Sequence, residues 1–105
     1  MSDREIMDSK FMSLKTKKMK YIKFEANWCG ACKMLKPILR KVEEAGVTVE
    51  VINAEFSAEL VTQYNVKNLP TVILIDDSGK EFYRFTGTRA KSEEYLNIYQ
   101  QFTNG

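Results

Sequence analysis

Between Tyr21 and Asn53 the sequence changes its hydrophobic period twice, and that limits the fold more than any other feature. YIKFEA, Tyr21–Ala26, alternates and is rich in β-formers, so it reads as a strand. From Gly30 to about Ala45, the residues Met34, Leu35, Ile38, Leu39 and Val42 fall at the spacing of one apolar helix face. Pro37 lies inside that helix and should kink it, because it lacks an N–H and its ring crowds the preceding turn. Gly46 ends the helix. VTVEVIN, Val47–Asn53, is the next strand. This alternation predicts parallel strands joined by a crossover helix.

The flanking sequence extends the pattern. Residues 4–7 suit a short edge strand, and Asp8 or Ser9 can cap a helix through about Lys17, with Phe11, Met12 and Leu14 facing inward. Ser57 can cap a short helix through Tyr64. TVILI, Thr71–Ile75, is an apolar β-branched run. DDSG, Asp76–Gly79, signals a turn, and EFYRFT follows as the antiparallel partner. A last helix spans about Lys91 to Phe102, with Tyr95, Leu96, Ile98, Tyr99 and Phe102 on one stripe. The order β-α-β-α-β-α-β-β-α predicts an α/β fold, a central mixed sheet with helices on both faces. A length of 105 residues suits one domain, residues 1–105, and a monomer is expected.

Charge and composition exclude several functions. With 16 basic and 14 acidic residues the net charge is only +2, too little for a nucleic-acid footprint. The basic cluster at Lys15–Lys20 is short and reads as a solvated helix end. No apolar run approaches the roughly 20 residues of a membrane span. The N-terminal stretch has no apolar core of a signal peptide, so the expected location is a reducing cytoplasm.

The only two cysteines stand in WCGACK, Trp28–Lys33. They could form a reactive dithiol, half of a metal site or a structural staple. In a reducing compartment a lone pair is rarely structural. With no histidine, Cys and His cannot close a four-ligand zinc site within one monomer, and no metal or cofactor is expected. Placed between a strand and a helix, the CxxC spacing points to redox chemistry. A helix N-terminus presents free N–H groups and partial positive charge, so a Cys29 thiolate there is stabilised. Its pKa should fall below the free value of about 8.5. Cys32, one turn further in, brings its sulfur within bonding reach. Cys29 is then the exposed nucleophile and Cys32 the buried resolving thiol. Gly30 keeps the approach clear, and Trp28 forms an apolar wall.

These segments resemble the thioredoxins. FEANWCGACKMLKPIL is similar to the family's active-site segment, NLPTVILI to the segment carrying its cis-proline, and GKEFYRFTG to its terminal hairpin. The resemblance spans about residues 20–102; the first 20 match loosely and look shortened. It implies the thioredoxin fold and a protein-disulfide reductase. It also implies a substrate groove formed by Trp28, Gly30, Ala31, Leu69, Pro70, Thr86 and Gly87. Local physics alone favours a trans Leu69–Pro70 bond, since about one X–Pro bond in twenty is cis; only the resemblance implies cis. The implied electron donor is a thioredoxin reductase. The implied clients are disulfide-containing proteins, ribonucleotide reductase among them.

The sequence departs from the family in two places. Ala31 stands where thioredoxins usually have proline, a position that tunes redox potential in the family, so a somewhat less reducing protein is expected. Lys23 replaces the usual buried aspartate, and Val51 aligns with that aspartate's usual lysine partner. Glu25 lies two residues on, on the same strand face. Either Lys23 and Glu25 pair and tune the proton or the charge at Cys32, or Lys23 snorkels to solvent and Glu25 is a rim charge. These departures also suit a client-specific oxidoreductase or isomerase. A thioredoxin-like binding module is a third reading, disfavoured by the intact cysteine pair.

Overall fold

The computed structural model of the protein describes residues 18–103. The strand over 4–7 and the helix ending near Lys17 lie outside the described residues. Within them the order is β1 (Met19–Glu25), α1 (Gly30–Glu44), β2 (Val49–Asn53), a 3₁₀ turn (Ala54–Phe56), α2 (Ala58–Gln63), β3 (Thr71–Asp76), β4 (Glu81–Thr86) and α3 (Ser92–Thr103). The sheet order is β2-β1-β3-β4.

β1 pairs parallel with β2, as the crossover through α1 requires. β3 does not continue the parallel pattern expected from the alternation: it is antiparallel to β1, and β4 is antiparallel to β3. The reason is length. α2 has six residues, about 9 Å of rise. The segment 64–70 then brings the chain back, so β3 starts at the end where β2 stopped.

The central strands are buried on both faces, and their alternation sorts side chains into two cores. Tyr21, Leu35, Leu39, Val42, Val72, Leu74, Phe85 and Tyr95 pack between the sheet and α1 and α3. Ile22, Phe24, Tyr64, Ile73 and Ile75 pack on the other side, with Leu60 and Val61 of α2 against them. Helices therefore cover both faces. One member of the expected α1 stripe is misplaced: Met34 is 67% exposed. Leu35, Leu39 and Val42 define the buried stripe, and Met34 precedes Leu35 by about 100° of helix rotation, outside it. α1 continues through Pro37. Ser57 occupies the position before α2 but makes no side-chain cap; Asn53 instead caps the 3₁₀ turn, its Oδ1 accepting from Glu55 N at 2.9 Å.

Candidate active site

Three chain segments meet at the C-terminal end of β1. The first is the turn from β1 into α1. Cys29 N donates to Ala26 O at 3.1 Å, closing the turn, and Cys29 becomes the N-cap of α1. Its Sγ accepts from Cys32 N at 3.1 Å, one of the orphan donors of the helix start. The first turn carries no acid that would offset the partial positive charge there. Cys29 and Cys32 are joined as a disulfide with Cα atoms 5.3 Å apart.

Cys29 was expected to be exposed, yet only 6% of its surface is, against 1% for Cys32. Ala26, Ala31 and Leu69 pack around the pair, and this cover comes partly from a segment some forty residues away. The order of accessibility still favours Cys29. Trp28 is 72% exposed and stands at the rim. A Cβ built on Gly30 would meet nothing within 4 Å, so the approach over α1 is open.

The second segment carries Leu69 and Pro70, joined by a cis peptide bond. Pro70 is buried and Leu69 half-buried against the cysteines. Among the described residues, no backbone hydrogen bond engages the N–H or C=O of Leu69. Thr71 Oγ1 donates to Asn68 O at 2.6 Å and holds the turn. The third segment ends β4. Thr86 is exposed and pairs in register with Thr71. Gly87 N donates to Pro70 O at 3.0 Å, and its φ of +86° is one that glycine adopts without strain.

Beneath the disulfide lies a charged interior. Lys23 is buried on the face of β1 that α1 covers, and its Nζ donates to Cys32 O at 2.9 Å. Nζ is also 2.8 Å from Glu25 Oε1, a close ion pair whose alignment misses that of a hydrogen bond. The Lys23 side chain is 2% exposed and that of Glu25 21%. Val51 is the register neighbour of Lys23 on β2. Glu25 opens on a cleft of about 200 Å³ that Lys36, Arg40 and Glu43 of α1 also line. Those three were not expected at the site. Their spacing places them along one edge of α1, but only the docking of α1 on β1 turns that edge toward Glu25.

The thioredoxin family model matches residues 4–98 of this chain. A thioredoxin of Chlamydia trachomatis is 42% identical over 72 residues, covering 67% of this chain and 70% of its own. The chain belongs to the thioredoxin family. A bifunctional thioredoxin reductase/thioredoxin of Mycobacterium leprae is 29% identical over 93 residues, 84% of this chain and 20% of that protein. Among solved structures, a mutant thioredoxin from Halobacterium salinarum superposes with a TM-score of 0.73 at 25% identity, covering 83% of this chain and 76% of that one. The fold is the thioredoxin fold, and the function is that of a thioredoxin-type disulfide reductase, an oxidoreductase.

Proposed function

We propose that this thioredoxin reduces protein disulfides with Cys29 as nucleophile and Cys32 as resolving thiol. The observation that carries this assignment is the placing of Cys29 as N-cap of α1, beside the open approach over Gly30. In the reduced protein the Cys29 thiolate attacks one sulfur of a client disulfide and expels the other as a thiolate, which takes a proton. Cys32, as thiolate, then attacks Cys29 Sγ and expels the client's second sulfur. The client gains two electrons and two protons, and Cys29–Cys32 returns to the disulfide. An extended client strand would pair with the free backbone of Leu69 and cross Trp28, Ala31, Pro70, Thr86 and Gly87.

A thioredoxin reductase would restore the dithiol; the relative in which a reductase and a thioredoxin share one chain supports this donor. Ribonucleotide reductase is one client of the expected class. The protein would act in the cytoplasm as a monomeric, single-domain carrier; no helix among the described residues is long and apolar enough to cross a membrane. Trapping tests the assignment of roles. Cys32→Ser should accumulate a mixed disulfide between Cys29 and a client, whereas Cys29→Ser should not. Trapping through Cys32 in Cys29→Ser would reverse the roles.

The departure at Lys23 extends the mechanism. Resolution needs Cys32 as a thiolate, and burial alone raises a thiol's pKa. Lys23 donates to the Cys32 backbone carbonyl, and a positive charge held at that residue would favour its thiolate. Lys23→Met should then slow client reduction, and Glu25→Gln should speed it by freeing the lysine from its partner. If Glu25 is instead the proton acceptor, with the cleft leading the proton to water, Glu25→Gln should slow turnover by about 10² or more. Wild-type rates in both folded variants would remove both residues from the mechanism.

A further inference from the structure

The segments that meet at the disulfide share a charge pattern that the reaction itself does not use. Residues 26–33, 66–70 and 86–90 each contain one cation, Lys33, Lys67 and Arg89 respectively, and none contains an acid. All three cations are exposed. Among the described residues none of them has an ion pair or a side-chain hydrogen bond. Lys20, Lys23 and Arg84, by contrast, are paired with Glu50, Glu25 and Glu81. Glu25, the acid that immediately precedes the first of these segments, is engaged by Lys23. The pattern is local, since the whole chain carries only +2 and the β3–β4 turn brings Asp76 and Asp77 together at the other end of the sheet.

We infer that this rim is a docking surface for polypeptides whose disulfide is flanked by aspartate and glutamate. The inference rests on the reading of the site as a protein-disulfide reductase and adds its preferred client class. The physical argument is complementarity. The floor of the groove is apolar and uncharged, with Ala31 and Leu69 packed on the cysteines, Pro70 buried next to Leu69 in the chain, and Trp28 exposed beside Cys29. Such a floor accepts many chains and distinguishes few. Charges around it set which chains approach and in which orientation. Three unpaired cations of one sign, beside the positive end of α1, attract acidic flanks and repel basic ones. Such steering acts within a Debye length, about 10 Å at 0.1 M salt, so it fades as salt rises.

The test uses the full chain, reduced beforehand, and two peptides of equal length that share one internal disulfide. Aspartate and glutamate flank the disulfide in one peptide, lysine in the other. A small uncharged disulfide is reduced in parallel to report the intrinsic reactivity of the thiols. Single-turnover rates at low salt should favour the acidic peptide by about tenfold, the lower end of electrostatic steering. The ratio should approach one at 0.5 M salt. Lys33→Glu/Lys67→Glu/Arg89→Glu should reverse the order, with Lys67→Glu alone narrowing it, while each variant still reduces the uncharged disulfide. Equal rates for both peptides at low salt, or an order that the substitutions leave unchanged, would overturn the inference. If no disulfide is reduced at all, including the uncharged one, the reductase reading fails and this inference with it.

Discussion

Tyr21 and Lys23 stand two residues apart on the same face of β1, both buried, and serve different surroundings. Tyr21 lies inside an aromatic group with Phe85, Tyr95 and Tyr99, and its hydroxyl donates to Tyr95 O at 2.5 Å. Burial, followed by the neighbouring tyrosines, pushes its pKa well above the ordinary phenol value. It stays neutral, and its one polar atom is satisfied. Lys23 is just as covered but carries an ammonium group, held by Glu25 and by the Cys32 carbonyl. One position adds stability by keeping charge out of the core. The other keeps a charge in, next to the disulfide. A buried ion pair is weak evidence for stability, since desolvation offsets its attraction. Its value here lies at the site.

The contrast is sharpest where the charge is left alone. Glu25→Ala should destabilise the protein by about 3 kcal/mol, because it leaves a buried ammonium without its counter-charge. Urea unfolding measures this, and a loss below about 1 kcal/mol would mean that Lys23 reaches water. Replacing both partners, Lys23→Met with Glu25→Leu, should return stability to within about 1 kcal/mol of the wild type, since neither charge then needs solvating. The same double variant should lose turnover, which separates the site role from the structural one.

At the other end of the face the effects are smaller. Tyr21→Phe should cost about 1 kcal/mol, the net worth of one hydrogen bond, with ring packing kept. Alkaline titration of stability should show the phenols. Burial, with Glu94 adding to it, pushes the Tyr95 pKa up to about 12, from 10.0. Above pH 10 the unfolded chain therefore releases protons that the folded protein retains. Stability should be level below pH 10 and should fall as pH rises from there toward 12. Tyr95→Phe should make that limb shallower, with Tyr21, whose pKa burial also raises, carrying the remainder; an unchanged slope would place the titrating group elsewhere. The smallest effect belongs to Glu81→Ala. Its pair with Arg84 spans 2.8 Å, the same distance as Lys23–Glu25, but the side chains are 35% and 30% exposed, so the loss should stay below about 1 kcal/mol. A larger loss would show that distance rather than burial governs these pairs.

What the sequence determined by itself is what is written in short-range pattern. The period of two in YIKFEA, the helical period after Gly30, the turn at Asp76–Gly79 and the cysteine spacing each lie within a few residues, so strand, helix, hairpin and N-terminal thiol are all legible. The same period places Lys23 and Glu25 on one face. That they lie under α1 is not legible, because cover depends on which element docks there. The direction of β3, the shielding of Cys29 by Leu69 and the exposure of Met34 have the same origin. Each depends on where a distant segment comes to rest. The cis Leu69–Pro70 bond was legible only through family resemblance, since local energetics favour trans by about 0.5–1 kcal/mol. The tertiary structure also decided that Lys36, Arg40 and Glu43 share a cleft with Glu25. Packing brings together residues from separate elements, and local periodicity cannot specify that meeting.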